Sequence, residues 1–258
     1  MITSIKKGII NKHVSNYVQS VFANKLCLEG FSNYKEQNIS WFRIKNDELI
    51  NSIIFNTSWT KFPVILDACC GVYPLFSDVY LTCQAFDDYL NGFDFECFKR
   101  ENICELDASL MIFSEDAKVL CNEQLGYGVH TLDNIILPRM NSINSVSDCY
   151  QFHKQWRIKV AAKEPEYMYY NLSSTFIDEA IYLDDEELYP HCIRRVNEMI
   201  KICSKWAIES PKNQKYVRLL EEYRLRQHAL LDGARNEYLE ILEQRKQKSM
   251  SMLKELCK

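Results

Sequence analysis

"NISWFRIKNDELINSIIFNTSWTKFPVILDACCGVY", residues 38–73, decides the fold. β-Branched and aromatic residues crowd three runs, 38–45, 48–59 and 62–73, and short polar turns such as Asn46-Asp47 divide them. Runs of that kind at that spacing predict an antiparallel meander. The third run carries two adjacent cysteines, Cys69 and Cys70, just after Asp67. Side chains alternate faces along a strand. Val64, Leu66, Ala68, Cys70 and Val72 therefore share an apolar face, and Cys70 is expected in the core as a small hydrophobe. Ile65, Asp67, Cys69, Gly71 and Tyr73 share a mixed face, expected to be partly open to solvent or partly covered by a helix. Neighbours on a strand point apart, so the cysteine pair implies neither a shared metal nor a disulfide. A carboxylate beside Cys69 discourages a reactive thiolate there.

Outward from the meander the period changes. Upstream, Ile2, Ile5, Ile9, Ile10, His13, Tyr17, Val21 and Leu28 recur near the helical period, and Gly30 supplies a stop. Downstream, 79–86 reads as a fourth strand, and 93–98 as a fifth or a hairpin edge. Helical periodicity returns from about residue 114. A first helix runs from Ser114 to near Leu125, and a second is kinked or interrupted by Pro138. A third is capped by Ser145 and sets Cys149, Phe152 and Trp156 on one face. A fourth covers 166–183; after the acidic loop Asp184–Glu187, a fifth carries the stripe Ile193, Val196, Ile200 and Cys203. Ser210-Pro211 reads as the start of the last segment, one or two helices long. The expected fold is α+β: an N-terminal helix on an antiparallel sheet of four to five strands, then a helical C-terminal half. The expected domains are residues 1–160, holding the sheet, and 161–258, a helical extension or subdomain.

The leading helix with "LEGF" (28–31), the strands with "WFR" (41–43), "LINSIIF" (49–55) and "DACCGVY" (67–73), and "ILPRMNSINSVSDCYQF" (136–152) resemble a group of uncharacterised bacterial domains of unknown function. The resemblance covers about residues 5–155. It implies an α+β fold and carries no catalytic residues to transfer.

Composition narrows the function. The chain has 258 residues and a net charge of −4, with no basic excess to neutralise a phosphate backbone. No segment approaches the roughly 20 apolar residues of a membrane span. Eleven cysteines occur without any C-x-x-C pair, which weakens every zinc-ribbon and thioredoxin reading. With seven glycines there is no phosphate-cradling loop, and the G-x-S-x-G and H-E-x-x-H motifs are missing.

The remaining clusters each have a plain structural reading. Glu187 and His191, four residues apart and beside Cys192, offer two potential ligands with no third nearby in sequence, and Pro190 starts the helix too late to align them. Asp116 and Lys118 form a D-x-K triplet at a helix start, where acids suit the helix dipole. Asp87-Asp88 and Asp184–Glu187 sit at element boundaries, and His13, His130, His153 and His228 are scattered singly. No catalytic, cofactor-binding or metal residue is assigned. "EYMYY" (166–170) packs three tyrosines into a turn and a half, too many for one inward face. The expectation is a cytoplasmic interaction or accessory module without catalytic activity. It would meet a protein partner, or a second copy, through tyrosine-rich and C-terminal helices. The alternative is a hydrolase-like enzyme drawing on Asp67, Cys69, Asp116 and a histidine.

Overall fold

The computed structural model describes residues 16, 19–33, 40–58, 64–77, 105–106, 129–130, 132–161 and 172–256. The expected strands at 79–86 and 93–98, the helix at 114–125 and the tyrosines of 166–170 lie outside them. The fold is α+β, with an N-terminal helix, an antiparallel sheet and a helical C-terminal half. The described residues group into two compact units. One holds those before residue 73, those between 105 and 144, and the last turns from 251; the other holds 73–77 and 145–250.

In the first unit, five strands follow one another in chain order: β1 (Ser32–Asn33), β2 (Ser40–Lys45), β3 (Leu49–Ser58), β4 (Val64–Pro74) and β5 (Glu105–Leu106). β2, β3 and β4 are the three runs of the meander. The two-residue β1 and β5 flank it. β2 and β3 register with Trp41 opposite Ile53 and Lys45 opposite Leu49. Asn46 and Asp47 both take positive φ, 54° and 53°, as a tight hairpin turn demands, and the Glu48 N–H closes it on the Lys45 carbonyl. Asn and Asp adopt that region most readily after glycine. β3 is buried at every residue from Leu49 to Ile54, so both of its faces are covered there.

Helix α1 (19–28) ends at Gly30, φ 80°. Gly30 N–H bonds the Cys27 carbonyl and Phe31 N–H the Leu26 carbonyl, a Schellman stop. α2 (Leu137–Ser142) follows one π turn, Leu132–Ile136. Pro138, in its first turn, has no N–H to give the turn before it, which is the interruption expected from the sequence. Two cations of β2 hold the ends of these helices. Arg43 donates to the Glu29 carbonyl (2.8 Å) and Asn141 Oδ1 (2.7 Å) and lies over the Phe31 ring. Lys45 Nζ donates to the carbonyls of Met140, Asn141 and Ile143, the open end of α2.

The second unit is helical: α3 (Val146–Ala161), α4 (Ser174–Leu183), α5 (Tyr189–Glu209), α6 (Gln214–Leu231) and most of α7 (Arg235–Leu256). Ser145 and Asp148 cap α3 reciprocally: Ser145 Oγ accepts from Asp148 N–H, and Asp148 Oδ2 accepts from Ser145 N–H. Ser173 Oγ accepts from Phe176 N–H at the start of α4, which ends at Asp184 with φ 59°. Ser210-Pro211 does not open α6. The Ser210 N–H bonds back to Trp206 and completes α5, while Asn213 caps α6 through Lys215 N–H. The C-terminal segment is two helices, parted at Gly233, φ 69°. Among the described residues, no helix is long and apolar enough to cross a membrane.

Candidate functional site

α4 buries every residue from Thr175 to Ile181, two acids among them. A helix covered all round is normally apolar, and a buried carboxylate is tolerated only with partners. Consecutive helical residues point about 100° apart, so Asp178 and Glu179 meet different neighbours.

Asp178 faces α6 and α7. Arg226 grips it with two bonds, Nε at 2.7 Å and Nη2 at 2.8 Å, and Tyr238 Oη donates to it at 2.7 Å. Arg245 Nη1 lies 3.6 Å away, and Glu222 contacts both arginines. Burial alone would pull the Arg226 guanidinium down, but Asp178, Tyr238 and Tyr223 together hold it well above its usual value. Burial pushes the Tyr238 hydroxyl up. Two arginines face two acids here, which makes the cluster a fastening between helices.

Glu179 faces α3. Its Oε2 lies 2.8 Å from His153 Nδ1, and both side chains are fully buried. Cys149, one turn before His153, places Sγ 3.8 Å from Nε2 and 4.0 Å from Nδ1. Glu179 Oε1 has no hydrogen-bond partner among the described residues. The ligand atoms of Cys149, His153 and Glu179 all lie within 4.8 Å of one another. Tyr73 and Phe152 pack near the imidazole, with ring centroids 6.5 and 5.9 Å away. Burial, and then the Glu179 carboxylate, push the Cys149 thiol well up. The order thiol, imidazole, carboxylate is that of a cysteine nucleophile with its base. A nucleophile, however, needs a lowered thiol and access to substrate. Thiolate, imidazole and carboxylate together also make a donor set for zinc.

Around this pair, α3 and α4 join through Tyr150 stacked on Phe176 (5.1 Å) and Arg157 over the same ring. Tyr150 Oη and Lys154 Nζ both donate to Asp185 Oδ2.

The residues singled out in the sequence fall elsewhere. Cys70 is buried, as alternation implies. Asp67 and Cys69 lie in β4, with side chains outside the described set, as are Asp87, Asp88, Asp116, Lys118 and His13. The mixed face of β4 is covered at its far end, where Tyr73 is 5% exposed. Glu187 sits in a 3-10 turn, Glu186–Leu188, one residue before α5, so it does not share a helix with the half-buried His191. Cys192 points into the core. His130 meets Asn134 on the surface, and His228 pairs with Asp232. Among the described histidines, His153 alone enters a cluster of potential ligands. Its sequence signal was the four-residue spacing C-x-x-x-H of Cys149 and His153, one face of a helix.

A separate feature is the outer end of the α5–α6 hairpin. Ile202, Trp206 and Ile208 are exposed there, Ile208 at 80%, and Trp206 tilts against Tyr216 at 5.3 Å. Lys201, Lys205, Lys212, Lys215 and Arg218 are exposed among them, against the single acid Glu209.

No family model, curated protein or solved structure matches the chain.

Proposed function

We infer that the protein is an accessory or interaction module without catalytic activity, and that it meets its partner through the outer end of the α5–α6 hairpin. The observation that carries this reading is the exposure of Ile202, Trp206 and Ile208 within one stretch of a helix whose other apolar side is buried. Tryptophan is enriched where one protein anchors in another. The five surrounding cations, on a chain of net charge −4, favour a partner that is both acidic and apolar at the contact. Cys27, Cys70, Cys149, Cys192 and Cys203 are thiols, which supports a reducing, cytoplasmic setting. For the hydrolase-like alternative, the Cys149 cluster has the right order of groups, but its burial and raised thiol favour another use.

The test is affinity capture from the native lysate with the wild-type chain and with a Trp206→Glu, Ile208→Glu double variant. Ile208 is 80% exposed and Trp206 39%, resting on Tyr216, so the double variant should keep its fold, checked by circular dichroism, with a small change in melting. The reading predicts a partner held by the wild type, lost from the variant and weakened by salt. A monodisperse monomer that retains nothing the variant fails to retain would overturn it.

A further inference from the structure

The Cys149–His153–Glu179 cluster supports an inference independent of the partner surface. We propose that Cys149 Sγ, an imidazole nitrogen of His153 and a carboxylate oxygen of Glu179 hold one divalent cation of borderline softness, zinc foremost, which ties α3 to α4.

Three observations carry it. First, the donors suit the ion: thiolate, imidazole and carboxylate are the three side-chain classes that bind zinc. Second, they are in place. In a tetrahedral zinc site the ligand atoms stand about 3.3–3.6 Å apart; here Cys149 Sγ lies 3.8 Å from one imidazole nitrogen of His153 and 4.0 Å from the other, Glu179 Oε2 lies 2.8 Å from Nδ1, and one ligand atom from each residue lies within 4.8 Å of the others. Third, the cation would resolve a polar group that the fold leaves over. Glu179 is fully buried, and its Oε1 has no hydrogen-bond partner among the described residues. An unmatched buried polar atom is destabilising, and a metal bond satisfies it.

Charge balance points the same way. On loading, the Cys149 thiol gives its proton to water and the imidazole binds as its neutral form. One thiolate and one carboxylate then face two positive charges, so the buried site is neutral as a whole. Three protein ligands leave the fourth position to a water. Because all three residues are buried, the metal enters as the chain folds. α3 supplies two ligands at i and i+4, and α4 the third, so the ion bridges two helices.

The experiment refolds the full chain from denaturant under reducing conditions with cobalt(II), which reports thiolate ligation by a charge-transfer band, and then with zinc. The expected result is one metal per chain, a thiolate–cobalt band, and a higher melting temperature with zinc. Cys149→Ser and Glu179→Gln should each lose the band or weaken zinc binding by more than about 100-fold, since even residues that only orient ligands cost 10–100-fold. Cys192→Ser, an equally buried thiol outside the cluster, should bind as the wild type does. Circular dichroism follows the fold of each variant, and Cys149→Ala replaces the serine variant if that fails to fold. A wild type without the thiolate band, or a band that survives loss of Cys149, overturns the proposal.

Discussion

At the scale of single residues, α4 joins its neighbours with buried charge. Removing one partner of a buried ion pair costs about 3–5 kcal/mol, because the other charge is stranded. Arg226→Met should therefore lower the unfolding free energy in urea by about that amount, and Asp178→Asn by a comparable one. The double variant should lose less than the two single losses added, since the residues touch. Thiol reactivity gives a second reading. Burial, aided by Asp185, pushes Cys192 up to about 12. Alkylation at pH 8 followed by mass spectrometry should label exposed Cys27 well before Cys70 and Cys192, which stay intact until the chain unfolds; early labelling of Cys192 would contradict its burial. The place of Cys70 was legible because strand alternation is a local property. The partners of His153 were not. Glu179 lies 26 residues away, and only the packing of α3 on α4 brings it to the ring.

At the scale of elements, most of what was legible rests on local rules. The three central strands, the Asn46-Asp47 turn, the Gly30 stop and the Ser145 cap each depend on a few neighbouring residues. Ser210-Pro211 misled because it satisfies the rule for a helix start, while Asn213, three residues on, satisfies it too and captures the Lys215 amide. Two caps can be tested by substitution. Ser173→Ala removes the bond to Phe176 N–H and should cost about 1 kcal/mol by thermal unfolding. Gly30→Ala meets no close atom, Arg43 Cδ being 3.6 Å from an added Cβ, so its cost should be the roughly 1–2 kcal/mol of a left-handed residue alone. The α3–α4 link carries a pH signature. Burial would raise the Asp185 carboxyl, but hydrogen bonds from Lys154 and Tyr150 prevail and hold it below its usual value. Its stabilisation is thus present above the unfolded carboxyl pKa of about 4 and is lost as pH falls through the lower folded value. Melting curves of wild type and Lys154→Met should differ fully at pH 6 and converge toward pH 2.

At the scale of the whole molecule, composition excluded more than it assigned. A net charge of −4 conceals the local excess of cations around Trp206, because charge summed over a chain does not record where its charges lie. Likewise, eleven cysteines without a C-x-x-C pair gave no metal pattern, since a site shared by two helices draws its ligands from spacings that no single motif captures. In the helical unit, fully matched charge at Asp178 and an incompletely matched cluster at Glu179 sit side by side on one buried helix. The first is a fastening complete in itself, and the second is completed by a metal. X-ray absorption at the zinc edge, on full-length chain refolded with one equivalent of zinc, tests this most directly. The prediction is one sulfur ligand at about 2.3 Å with nitrogen and oxygen ligands at about 2.0–2.2 Å; a shell with no sulfur, or with two or more, would contradict it.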